Sequence, residues 1–183
     1  MIPLVQTNSP LGEAIIAAQT LAAPWFAVRV HSRAETLAEA GLRAKKYETF
    51  LPTYTDCRFY SDRIKKIEAP LFAGYIFCRL DPVAPLPVLT TQGVSYIVSA
   101  GRKPCAIDDC EIEAVRRATS SGCSAKPWPY LREGQRVRVR HGAMAGVEGI
   151  FLRAKGAGVL VLSVHLLQRS VSIEMDRTWV RPV

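Results

Sequence analysis

Apolar and polar positions alternate at the start of VRVRHGAMAGVEGIF, residues 137–151. A period of two is that of a half-buried strand. It places Val137 and Val139 on an inner face and Arg136, Arg138 and Arg140 on an outer one. Gly142, Gly146 and Gly149 follow. They suit a turn with positive φ, tight bending and close strand approach. Strand signals recur over residues 147–153, 159–164, 170–175 and, briefly, 179–181. Together with residues 135–140 they predict a small all-β barrel. Its core is thin, supplied largely by residues 159–162 and by Phe151 and Leu152.

The pattern upstream is mixed. WFAVRV, residues 25–30, reads as an apolar strand behind Pro24. Ser32 and Glu35 have the spacing of a capping box, and Leu37, Ala40, Gly41, Ala44 and Tyr47 recur at helical offsets. Lys45 and Lys46 fall in the last turn, where the helix dipole favours cations. A short strand is predicted over residues 48–51 and a β-hairpin over 53–68 with its tip near Ser61-Asp62. A central strand follows from Tyr75, then a short late helix within 81–91 and a strand over 94–98. A helix over 109–119 capped by Asp108 comes last, with Ile112 and Val115 inward. Gly74 implies a bulge or a close backbone approach. This order predicts an α+β fold, an antiparallel sheet with packed helices. TSSGCSAKPWPY, residues 119–130, has no periodicity and reads as a linker. The expected organisation is an extension (1–23), an α+β domain (24–119), a linker (120–130) and a barrel domain (131–183).

Composition narrows the function. The chain has 183 residues, 49% hydrophobic and 22% charged, which is globular composition. Its net charge of +8 fits a polyanionic partner or an inert basic surface. In the hairpin, Arg58, Arg63, Lys65 and Lys66 interleave with Tyr54, Phe59 and Tyr60. That mixture suits phosphate pairing with base stacking, and equally a solvated hairpin with cross-strand aromatic pairs. No apolar run has membrane-spanning length. Residues 1–28 hold no Lys or Arg and Glu13 interrupts their apolar stretch, so they read as a weakly helical arm, and the expected location is cytoplasmic. Five cysteines follow no disulfide framework. Cys105, Cys110, Cys123 and His141 form a candidate zinc set with no CxxC pair; the other reading is small apolar side chains. No nucleophile, Walker, HExxH or dinucleotide motif is present, so neither an enzyme nor a cofactor is expected.

EGQRVRVRHGAMAGVEGIF resembles a KOW motif, the strand–loop–strand signature of small barrels in transcription and ribosomal proteins. WFAVRV, LPT and PLFAGYIF, then GVSYIV and GRKPCAI, resemble in order the N-terminal domain of the NusG family. PLFAGYIFCRLDP is similar to the specialised paralogue RfaH, and VLSVHLLQRSVSIEMD to UpxY-type regulators of polysaccharide operons. The resemblance implies a non-enzymatic elongation or antitermination factor, an expected monomer that reduces pausing or termination. Its N-terminal domain would bind the clamp helices of bacterial RNA polymerase through Trp25, Phe26, Leu71, Phe72, Gly74 and Tyr75, with Phe72 and Tyr75 exposed. The family often has Pro where Ala73 stands. Non-template DNA would meet His31, Arg33, Arg58, Arg63, Lys65 and Lys66. RfaH's HTTT motif has no counterpart after Asp81-Pro82, so that second polymerase contact does not carry over. The barrel would recruit ribosomal protein S10 or Rho through Val147, Leu166, Leu167 and Arg169, where Leu167 replaces an aromatic of the general factors. The strand patterns imply a stable barrel rather than one that refolds into helices. The alternative is a KOW-type RNA-binding or ribosome-associated protein.

Overall fold

The computed structural model describes residues 23–59, 64–128, 134–154 and 157–183. Strand β1 (Trp25–Val30) lies between β5 (Tyr75–Arg79) and β6 (Val94–Ile97), and β5 lies between β1 and β2 (Thr49–Phe50). β9 (Ala106–Ile107) also pairs with β1, and every pairing is antiparallel. β3 (Thr53–Phe59) and β4 (Ile64–Pro70) form the expected hairpin as a separate ribbon, and β7 (Ser99–Ala100) pairs with β8 (Lys103–Pro104). The helices are α1 (Glu35–Ala44), the single turn α2 (Leu86–Leu89) and α3 (Asp109–Ser120).

Strand alternation divides the core. Phe26, Val28 and Val30 of β1, with Ile76 and Cys78 of β5, bury one sheet face against Ala38 and Leu42 of α1. Trp25, Ala27 and Phe77 point the other way, into a cluster with Leu71, Phe72, Ile112 and Val115. That second cluster continues through Val137, Leu160, Leu162 and Ile173, so one apolar body joins the first sheet, α3 and the C-terminal strands.

The C-terminal region is all-β. Six antiparallel strands run in the order β10-β14-β13-β12-β11-β15, namely Ala125–Trp128, Arg169–Glu174, Ala157–Val164, Glu148–Ala154, Gln135–Val139 and Val180–Pro182. All five expected strands are present. Val137 and Val139 are buried while Arg136, Arg138 and Arg140 are exposed. Gly142 and Gly146 take positive φ, +77° and +87°, whereas Gly149 serves close approach, its absent Cβ position 2.7 Å from the Val161 carbonyl oxygen.

Two local expectations need correction. β10 lies inside the stretch read as linker and pairs with β14 from Ala125↔Ile173 to Trp128↔Ser170. Pro127 is tolerated there because β10 is an edge strand. The capping box does not form. Ala34 is the N-cap of α1, and the Glu35 carboxylate instead accepts the Gly74 N–H at 2.9 Å.

Candidate functional site

The apolar set expected to form one docking pocket is split by the sheet. Trp25 and Phe26 are adjacent in β1, so their side chains go to opposite faces. Both are buried, as are Leu71, Phe72 and Gly74. Phe72 was expected to be exposed and is only 1% accessible. It packs edge-on against Phe77 with ring centroids 5.3 Å apart. Burying a Phe of this kind contributes about 1.5–3 kcal/mol to folding, so its role is to hold the turn beneath the surface. Trp25 lies under cations, with the Arg79 and Arg116 guanidiniums 4.8 and 5.5 Å from its ring. Arg79 in turn pairs with Glu48 and Asp109, each at 3.1 Å.

Tyr75 is the member left at the surface, half-buried. The turn before it is tightly built. Gly74 has φ +82°, and its carbonyl accepts the Val30 N–H at 3.0 Å. A Cβ at Gly74 would stand 2.4 Å from an Arg29 guanidinium nitrogen, so glycine is what lets Arg29 reach across. Arg29 lies opposite Tyr75 on one side and Tyr96 on the other. The three form a row on one sheet face, with Tyr96 51% exposed. Arg29 and Tyr96 were absent from the sequence-based set. The signal was one charge in the otherwise apolar WFAVRV, sharing the parity of Trp25 and Ala27.

The C-terminal region meets this row. The Arg29 guanidinium is 4.8 Å from the Tyr75 ring centroid, and that of Arg169 is 5.1 Å away. Arg169 also donates to the Ala73 carbonyl at 3.2 Å. Leu166 and Leu167, in the 3-10 turn before β14, are half-buried against the same cluster as Tyr75. Residues expected to recruit a separate partner therefore lie on the residue expected to meet the polymerase. Val147 is buried and lines a cleft of about 820 Å³ between α3 and strands β12 and β13. The cleft is bridged by Arg117 donating to the Ala145 carbonyl at 3.1 Å. Glu111 also accepts the His165 backbone N–H at 3.2 Å.

Of the nucleic-acid candidates, His31 and Arg33 are exposed on the turn between β1 and α1. Arg33 has φ +62°, a conformation that costs a non-glycine residue about 1 kcal/mol. Lys66 is exposed on β4, and Arg58 faces Lys65 in the hairpin register. Arg63 lies outside the described residues. Among the described residues no cluster of three or more His, Cys, Asp or Glu is placed to hold a metal, so Cys105, Cys110, Cys123 and His141 do not form one. Burial, then the nearby Glu48 charge, pushes the Cys78 thiol up to about 12. No helix among the described residues is long and apolar enough to cross a membrane.

A family model described as "Transcription termination factor nusG" matches residues 23–116, just over half of the chain. The chain belongs to the NusG family. As such it is a non-enzymatic transcription factor of the termination/antitermination class. Similar relatives include the transcription termination/antitermination protein NusG of Campylobacter jejuni, 23% identical over 82% of this chain and 92% of that protein. That of Pseudomonas aeruginosa is 25% identical over 89% and 100%. Among solved structures, one described as "Domain interaction in Thermotoga maritima NusG" covers 90% of this chain and 99% of its own at 17% identity and TM-score 0.48.

Proposed function

We propose that this NusG-family chain is a specialised cytoplasmic elongation and antitermination factor. It docks on the clamp helices of bacterial RNA polymerase and reduces pausing or termination, with polysaccharide operons as the candidate targets. The observation that carries this reading is the Tyr75–Arg29–Tyr96 row beside the Gly74 turn. It is a partly exposed aromatic surface on a rigid sheet, backed by the buried Phe72 and Phe77. Aromatic and Arg anchors of this kind dominate the energy of many interfaces. His31, Arg33 and the β3–β4 hairpin supply cations for non-template DNA. Leu166, Leu167 and Arg169 are the surface for a second partner, ribosomal protein S10 or Rho. In the arrangement described, that surface and the Tyr75 row cover each other, so docking requires Arg169 to leave Tyr75.

Binding of the full chain to purified RNA polymerase, at low and high salt, tests this reading. Wild type is expected to bind at both, because an apolar contact is not screened as a phosphate contact is. Tyr75→Ala is expected to weaken binding at least about thirtyfold, the size of a hot-spot loss. Phe72→Ala is the poorer probe, since emptying a buried site costs about 3–5 kcal/mol of stability. No binding at either salt, or equal binding by Tyr75→Ala, removes the clamp-docking reading.

A further inference from the structure

The turn that presents Tyr75 has two possible forms, and one peptide unit separates them. The Tyr75 N–H donates to the Phe72 carbonyl at 3.0 Å, which closes residues 72–75 into a β-turn between first and fourth positions. Gly74 stands third, with φ +82°, and Ala73, second, is not among the residues with positive φ. This is a type II turn, in which the third residue sits at roughly +80°. Types I and II differ by a flip of the central peptide, here Ala73–Gly74. The Ala73 carbonyl and the Gly74 N–H reverse direction between them.

Both groups of that peptide are taken, from opposite sides. Arg169 donates to the Ala73 carbonyl at 3.2 Å. The Glu35 carboxylate accepts the Gly74 N–H at 2.9 Å, across 39 residues of sequence. A flip breaks both bonds and aims the carbonyl at the Glu35 carboxylate. The two holds differ in permanence. Arg169 comes from the C-terminal region and has to leave when Tyr75 is uncovered. Glu35 comes from the first turn of α1, which packs on the same sheet as β5, and it stays. In the uncovered chain Glu35 alone keeps the peptide as it is.

The turn's own residues do not make that choice. Glycine takes positive or negative φ with similar ease. Alanine at the second position lacks the ring that would fix φ there. The remaining anchors are indifferent to the flip. The Gly74 carbonyl, which accepts the Val30 N–H at 3.0 Å, and the closing bond from Tyr75 both lie outside the central peptide.

We propose that Glu35 is a positioning residue for polymerase docking, and that its carboxylate locks the Ala73–Gly74 peptide in the type II form that presents Tyr75. The proposal rests on the docking reading above and adds the side chain that gives the docking turn a single shape. It also accounts for a rigid turn with Ala73 at its second position. Glu35 itself need not touch the polymerase.

Two measurements test it: polymerase binding by the full chain, and hydrogen exchange of the Gly74 amide in the free chain, followed by NMR. Glu35→Ala is expected to bind about three- to tenfold more weakly than wild type, the range of one lost hydrogen bond, and to exchange Gly74 faster. Glu35→Gln keeps an oxygen acceptor and is expected to retain most of the affinity and of the protection. Adding Ala73→Pro to Glu35→Ala is expected to restore binding, because proline favours the second position of this turn. A loss that came only from disturbing the end of α1 would not respond to a change at position 73. The proposal is overturned if wild type binds and Glu35→Ala binds equally well, if Gly74 exchanges at the wild-type rate in Glu35→Ala, or if Ala73→Pro restores nothing. Wild type that binds no polymerase is a different result: it removes the docking reading itself, and this role of Glu35 with it.

Discussion

Arg169 illustrates how one side chain sets the availability of a surface. Its guanidinium lies 5.1 Å from the Tyr75 ring and holds the Ala73 carbonyl. Arg29 approaches the same ring from the first sheet, so removing Arg169 leaves Tyr75 one cation and frees its outer side. An exposed cation–π contact of this kind stabilises by about 0.5–1 kcal/mol. A binding-competent state that is only partly populated lowers apparent affinity by that fraction. Arg169→Ala is therefore expected to bind polymerase about two- to fivefold more tightly than wild type, measured beside Tyr75→Ala. Equal affinity would mean that the contact does not limit docking. The Arg169–Ala73 contact was not legible in the sequence. It joins positions 96 residues apart, and no local period records such a pairing.

Elements were legible wherever their own residues supply the reason for them. β1 is found over the six residues expected of WFAVRV, and Asp108 is the N-cap of α3. β10 was missed because SAKPWPY shows no alternation. Its reason for being a strand is β14, more than forty residues away. The box at Ser32 failed for a related cause, since Glu35 finds its partner at Gly74 in space rather than along the helix. Within the candidate site, the PLFAGY turn was recognisable but its exposure was not. Which of Phe72 and Tyr75 is buried depends on Phe77 and α3, and neither is implied by the turn itself. The β12–β13 pair gives a direct test of close strand approach. Gly149→Ala places a Cβ 2.7 Å from the Val161 carbonyl oxygen, and backbone yields little. The expected loss is about 1–3 kcal/mol, read as a lower urea midpoint with unchanged slope. An unchanged midpoint would show that the two strands can separate at no cost.

For the molecule as a whole, pH acts through the buried face of β5. Cys78 is raised from 9.0 to about 12 by burial and by Glu48, and Tyr47 is raised by burial, Cys78 and Asp81. Both groups hold their protons more firmly in the folded state than in the unfolded one. Their contribution is complete below the unfolded values, and it is lost as pH rises from about 9 toward 12. Thermal melts are expected to fall across that window, and Cys78→Ala to flatten the fall; an equally steep decline in the variant would place its origin elsewhere. β10 has a further consequence, which concerns reach. Only residues 121–124 separate the end of α3 from β10. While β10 stays zipped to β14, the C-terminal sheet is on a leash of at most about 17 Å. Once lifted from Tyr75 it remains at high local concentration there and recloses without a second molecule. If β10 peels away, the tether runs to β11 and lengthens to about 50 Å. One edge strand would then decide whether the two halves act as a clasp or as separate hands.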